Sequence, residues 1–83
     1  MEKEIGKVVH FYDKAGVVVL KLTEDGLAVG DTVIFKKGEE QHTETIESMQ
    51  VEHKNVQSVK KGEEVAVKVS APAKEGTRVY KEN

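Results

Sequence analysis

The chain has no cysteine, no tryptophan and a single proline, Pro72, among its 83 residues. The lack of cysteine excludes a disulfide framework, a thiolate metal site and a cysteine nucleophile. No long apolar run follows the charged start Met1–Glu4, so we expect neither a signal peptide nor a membrane span, and a cytoplasmic protein. We expect one domain, residues 1–83, which buries about 60–65% of the surface of its unfolded chain.

Charges of both signs are abundant: 13 basic and 15 acidic residues give a net charge of −2. This mixture argues against a surface that is basic overall, as many nucleic-acid-binding proteins have. Most of the charged residues are Lys and Glu, a composition that is typical of thermophilic proteins and that ordinary solubility explains equally well.

Glycine-centred turns followed by β-branched residues punctuate the chain. At the clearest of them, Gly30 can take the positive φ of a tight turn, and Asp31 can accept hydrogen bonds from the turn backbone. The run Thr32–Phe35 that follows favours a strand. Pro72 is expected in a loop. Alternation predicts further strands, the first two joined as a hairpin, at Ile5–Tyr12, Val17–Leu22, Val65–Val69 and Arg78–Lys81.

Residues 43–60 carry two conflicting patterns. Ile46, Met49, His53 and Val56 are spaced to share one face of a helix, and neither glycine nor proline interrupts them. The stretch Ile46–Val51 can instead form two strands with a bulge or bend at the change of phase. The spacing alone slightly favours the helix.

Six short motifs follow one another in an order that resembles a known domain: Ile5-Gly-Lys-Val8, Gly16-Val-Val-Val-Leu20, Leu27-x-Val-Gly-Asp31, Ile46-Glu-Ser-Met-Gln50, Lys61-Gly-Glu63 and Gly76-x-x-Val-Tyr80. The set resembles the second domain of elongation factor Tu and related translational GTPases, and above all the small stand-alone translation elongation factor-like proteins. A similar module ends some proteins of the collagenase-like U32 peptidase family. The resemblance implies a small closed antiparallel six-stranded β-barrel. It also replaces the helix at 43–60 by a strand and a loop that holds Val56 and Val59 against the barrel.

The resemblance implies a docking module that binds RNA or a protein of the translation or RNA-modification machinery. A structural or oligomerisation module without nucleic-acid recognition is the alternative. The chain lacks the Gly-x-x-x-x-Gly-Lys-Ser/Thr phosphate loop, so it is not expected to be a GTPase. The adjacent pair Glu63 and Glu64 is interpreted as solvated turn charges, and no catalytic set of residues is visible. We therefore expect a protein that is not an enzyme and that needs no cofactor.

The first hairpin predicts a contact surface. A four-residue turn at 13–16 places opposed residues on shared faces, with Tyr12 opposite Val17 and Val9 opposite Leu20. One face then supplies the core, through Val9, Phe11, Val18, Leu20 and Leu22. The other is unusually apolar for the outside of a small barrel, which is typical of a contact surface, and holds Val8, His10, Tyr12, Val17 and Val19.

Two polar residues, His53 and Lys54, are expected to flank this surface, where Lys54 could touch phosphate. The surface either receives RNA or a protein partner, or is covered by a loop of this chain or by a second copy in a homodimer through the first hairpin. The four aromatic residues are few for base stacking.

We expect no stoichiometric metal and no nucleotide hydrolysis. His10, His42 and His53 do not have the spacing of metal ligands, and the chain has no phosphate loop. Elemental analysis for zinc and a GTP turnover assay check this. One zinc ion per chain, bound through His10 and His53 brought together by the fold, would contradict it.

Overall fold

The computed structural model describes residues 2–70 and 73–82, and Pro72, expected in a loop, lies outside these ranges. Within them the regular secondary structure consists of β-strands, and no helix suited to crossing a membrane occurs. The chain is therefore a small all-β domain. Its strands are β1 (Glu2–Tyr12), β2 (Val17–Leu22), β3 (Leu27–Ala28), β4 (Thr32–Lys37), β5 (Glu40–Thr45), β6 (Met49–Val51), β7 (Lys54–Val56), β8 (Ser58–Val59), β9 (Glu64–Lys68) and β10 (Arg78–Glu82).

Eight of the strands form one sheet in the order β5-β4-β10-β1-β2-β9-β6-β7, and β3 pairs with β8 in a second, two-stranded sheet. All the ladders are antiparallel. The closed six-stranded barrel that the resemblance implied is not found, because no ladder in the described ranges joins the edge strands β5 and β7. The short β7 folds back on β6, so it offers β5 no extended edge to pair with.

Side-chain contacts connect the two sides of the sheet where a ladder does not. The buried carboxylate of Glu44 in β5 accepts hydrogen bonds from Ser70 N (3.1 Å) and Ser70 Oγ (2.8 Å), just beyond β9. The Ile46 side chain, just beyond β5, joins the same apolar cluster as Met49 of β6. One core is thus enclosed by a strongly curved sheet that remains open at its edges.

The core follows the period-two alternation of the strands. The seven residues expected inside are all buried, none more than 8% exposed: Val18, Leu20, Val33, Phe35, Val65, Val67 and Val69. Their outward neighbours on β2, which are Val17, Val19 and Lys21, are half-buried. The period-two interpretation of these strands is therefore confirmed.

The register of the first hairpin agrees with the expected one near the turn and departs from it further along. Tyr12 pairs with Val17 and Phe11 with Val18, as predicted, but Leu20 pairs with Val8, since a bulge leaves Val9 without a partner. A bulge shifts the alternation by one residue. The placement of Val8 on the outer face was therefore wrong: its side chain is 1% exposed and belongs to the core.

Residues 43–60 are strand and loop, so the helix that the spacing favoured is wrong. β6 and β7 form a tight hairpin, with Met49 opposite Val56 and Val51 opposite Lys54. Val56 packs against the core and Val59 is buried within it, as the resemblance implied.

The predicted turn before β4 is present. Gly30 has a φ of 97°, and the Asp31 carboxylate accepts a hydrogen bond from Ala28 N (2.9 Å). In the preceding loop, a hydrogen bond from Gly26 N and then the ammonium of Lys3 lower the pKa of the Asp25 carboxyl. Both turns are therefore held by side-chain oxygens that accept hydrogen bonds from nearby backbone N–H groups.

Val67→Ala should lower the free energy of unfolding by about 1–3 kcal/mol, because it removes buried methyl groups and leaves a cavity. The Val67 side chain is fully buried, whereas Lys68 beside it is exposed. Lys68→Ala is therefore the matched control. Urea unfolding of the two variants and the parent measures the difference. Equal transition midpoints for Val67→Ala and the parent would contradict the register of β9.

Candidate docking groove

A groove of about 680 Å³ lies on the outside of the sheet. Its walls are the end of the β1–β2 hairpin and the β6–β7 turn, and its floor is the outer face of β2 and β9. The lining residues come from four strands and their connections: Tyr12, Ala15, Val17, Val19, Gln50, Val51, Glu52, His53, Glu63, Glu64, Val65 and Ala66.

The floor of the groove is apolar where β2 and β9 present small or branched side chains at one level, and Gln50 of β6 borders it. Val19 pairs with Ala66 across β2 and β9, and Ala66 pairs with Gln50 across β9 and β6. Val17 extends the floor toward the hairpin turn, next to its register partner Tyr12. Opposed residues share a face, so these side chains form one continuous strip.

Tyr12 is the most accessible apolar group of this surface. Its side chain is 52% exposed, and it is the one exposed large hydrophobic residue in the described part of the chain. The imidazole of His10 packs against its ring, with the ring centroids 4.3 Å apart and the planes tilted by 58°. His10 thus supports Tyr12 from outside the groove rather than lining it.

The fold brings together four of the seven predicted contact residues: Tyr12, Val17, Val19 and His53 all line the groove. The first three come from one hairpin, whereas His53 arrives from a turn that is more than thirty residues away in sequence. The other three are placed elsewhere: His10 against Tyr12, Lys54 exposed beside His53, and Val8 in the core. Binding by the exposed His10 and Lys54 stays a prediction, whereas the buried Val8 is not part of the outer surface.

The β6–β7 turn has an unusual backbone. Its two central residues, Glu52 and His53, have φ values of 52° and 65°. This is the primed type I turn of tight hairpins, which Asn-Gly fills most readily and which residues with a Cβ occupy at a cost. The turn therefore presents a carboxylate and an imidazole to the groove where less strained residues would serve the hairpin alone.

The lining of the groove is acidic. It contains three carboxylates, those of Glu52, Glu63 and Glu64, and no lysine or arginine. The carboxylate of Glu63 accepts a hydrogen bond from Lys60 N (2.8 Å), which holds the turn before β9. In the ranges that the structure describes, no cation lies within 4 Å of the carboxylates of Glu52 or Glu64.

Sequence reasoning missed these acidic residues as part of a site. Glu63 and Glu64 were interpreted as solvated turn charges, and no role was predicted for Glu52. The pairing of β6 with β9 is what brings the turn at Glu52 alongside the start of β9. The adjacent pair Glu63-Glu64 was the available signal, but only the fold shows which surface it borders.

The described residues hold no cluster of three or more His, Asp or Glu side chains that is able to bind a metal ion. His42 lies away from the groove, stacked on Phe35 with the ring centroids 5.0 Å apart. Its Nε2 lies 3.6 Å from the Glu44 carboxylate, which is itself held by Ser70. This cluster ties β5 to the end of β9.

A curated relative of this chain is named as a protease. No protein-family model matches the chain. An uncharacterized protease of Methanocaldococcus jannaschii is 46% identical over 78 residues, which are 93% of this chain and 19% of that protein. The chain thus spans about a fifth of the length of the curated relative it matches.

Two solved structures share the fold. The C-terminal domain of a putative U32 peptidase from Geobacillus thermoleovorans superposes with a TM-score of 0.88 and 24% identity, covering 98% of this chain and 93% of that one. The selenomethionine variant of the same domain gives a TM-score of 0.85 and 20% identity, over 96% and 99% of the two chains. At these identities the likeness shows the fold alone.

These findings correct two expectations from the sequence. The identification as a stand-alone translation elongation factor-like protein is wrong, because the proteins found are named as a protease and as a domain of a U32 peptidase. The expectation of a protein that is not an enzyme is contradicted by the same names. The shared motifs consist largely of glycine turns and strand residues, which specify a β fold and leave its ligand open.

Replacing His53 by glycine should raise the free energy of unfolding by roughly 0.5–1 kcal/mol, because glycine adopts a positive φ without steric cost. Gln50→Gly is the control: at this strand position glycine should instead destabilise by roughly 0.5–1 kcal/mol. Urea unfolding measures both. A loss of stability in His53→Gly would contradict the assigned turn.

Proposed function

We propose that this chain is a docking domain that holds a polypeptide segment in the groove, in support of a larger protease-related protein. The groove supplies the binding surface, and the relative that is about five times as long supports the role as one part of a larger protein. The segment docked belongs either to a partner domain or to a polypeptide brought to the protease.

The observation that carries the proposal is the apolar strip formed by the exposed Tyr12 and the half-buried Val17 and Val19. A small domain that leaves an apolar strip and a tyrosine in water gains free energy when a partner covers them. Tyrosine combines a large ring with a hydroxyl group and is enriched in protein interfaces. The strip thus has the composition of a contact surface for protein.

The charge of the groove favours polypeptide over RNA. Phosphate backbones are bound by clusters of Lys and Arg, whereas this lining carries carboxylates and no Lys or Arg. Lys54, the residue expected to touch phosphate, is exposed on the β6–β7 hairpin but is absent from the lining. Nothing in the groove supports recognition of RNA or of a translation protein.

Tyr12→Ala should weaken peptide binding by roughly 1–3 kcal/mol, because the ring loses water contact only in the complex. The probes are peptides selected from a phage-displayed library on the parent chain, and calorimetry measures their affinity. The urea midpoint should barely move, since the ring is 52% exposed in the free domain. Gln41→Ala, in β5 and outside the lining of the groove, is the control and should leave affinity unchanged.

Three outcomes would contradict the proposal. The first is a library that yields no peptide binding the parent chain better than Tyr12→Ala. The second is RNA binding that Lys54→Ala abolishes and that falls steeply with salt. The third is a concentration-dependent mass in sedimentation that Tyr12→Lys removes, which would assign the strip to a homodimer through the first hairpin.

A further inference from the structure

We infer that the segment in the groove is cationic at one end: an apolar side chain sits beside Tyr12 and Val17, and a Lys or Arg sits about four residues away beside Glu64. This inference rests on the proposed docking function and adds the chemistry of the occupant. It follows from the way charge is distributed along the groove.

The two ends of the groove differ in charge. At one end Val17 pairs with Tyr12 on one side and with Lys68 of β9 on the other. At the other end Lys21 pairs with Glu64. The register that pairs Gln50 with Ala66 brings the turn after β6, with Glu52, toward that same end. The apolar strip therefore runs from Tyr12 toward a cluster of carboxylates.

The distance between the two ends sets the spacing in the ligand. Val17 and Lys21 are four residues apart on β2, which is about 13 Å at about 3.3 Å per residue. An extended segment lying along β2 has the same rise, and its residues i and i+4 point to the same side. An apolar side chain at one position and a cation four residues away would then reach both ends together.

The carboxylates are available to such a cation. No ion pair within 4 Å engages Glu52 or Glu64 in the described part of the chain. The nearest cation by register is Lys21, which is half-buried and absent from the lining. Lys54 at the start of β7, and Lys60 and Lys61 before β9, also lie outside the lining. A ligand cation at this end is therefore attracted by the carboxylates of Glu52 and Glu64 and repelled by the ammonium group of Lys21.

Removing a carboxylate and removing the Lys21 charge should therefore change the affinity for a cationic peptide in opposite directions. The probe is a short synthetic peptide in which Arg and Leu stand four residues apart, separated by Ser and Thr and made in both orders. Its controls carry Gln in place of Arg, or Arg directly beside Leu. Fluorescence anisotropy of the labelled peptides on the full chain measures affinity at low salt.

The Arg peptide should bind more tightly than the Gln peptide and than the peptide with adjacent Arg and Leu. Glu64→Gln and Glu52→Gln should each weaken it by roughly two- to fivefold, the range of exposed ion pairs, while leaving the Gln peptide unchanged. Lys21→Gln should strengthen it by a similar factor, and the differences should shrink at high salt. Glu40→Gln, remote from the groove, is the matched control.

The results separate this inference from the docking function beneath it. If the Gln peptide binds as tightly as the Arg peptide while Tyr12→Ala weakens both, the cationic ligand is wrong and the docking groove stands. If Lys21→Gln weakens the Arg peptide, the assigned electrostatics are wrong. If no peptide binds even at about millimolar concentration, and Tyr12→Ala changes nothing, both are overturned.

Discussion

The close contact between β1 and β2 at Gly6 is the constraint on which the rest of this structure depends. A Cβ atom on Gly6 would lie 2.2 Å from the carbonyl oxygen of Lys21, so only glycine lets the two strands approach there. β1 occupies the middle of the sheet, with β2 on one side and β10 on the other. A shift of its register by one residue against either neighbour would exchange inward and outward side chains, because adjacent residues point to opposite sides.

The bulge at Val9 is a second constraint on the pairing of β1 with β2. It explains why the sequence could predict only part of the register of the first hairpin. The length of the turn sets the pairing next to it, so the pairs of Tyr12 and Phe11 follow from residues 13–16. The bulge turns Val8 to the inner face of the sheet. The sequence does not indicate this bulge, since Val8 and Val9 are equally apolar. An outward position was thus assigned to a side chain that the core in fact requires.

Residues 43–60 were ambiguous for a similar reason. Ile46, Met49 and Val56 do all contact one core, which is the fact their spacing reflects. They reach it from the connection after β5, from a strand and from the returning strand of a tight hairpin rather than from one helix. The two positive φ values at Glu52 and His53 make that hairpin, and neither residue is a usual signal for them.

The sequence likewise predicts only part of the groove. Its apolar half could be predicted, because alternation within one hairpin places Tyr12, Val17 and Val19 outside. Its acidic half could not, because Glu52 and Glu64 meet only through the pairing of β6 with β9. The motifs that suggested an elongation factor consist mainly of inward strand residues and turn glycines, which many β domains need for folding alone. Tyr12, Glu52 and Glu64, on which the proposed ligand depends, lie outside those motifs. A resemblance built on the motifs therefore indicates the fold and does not identify the partner.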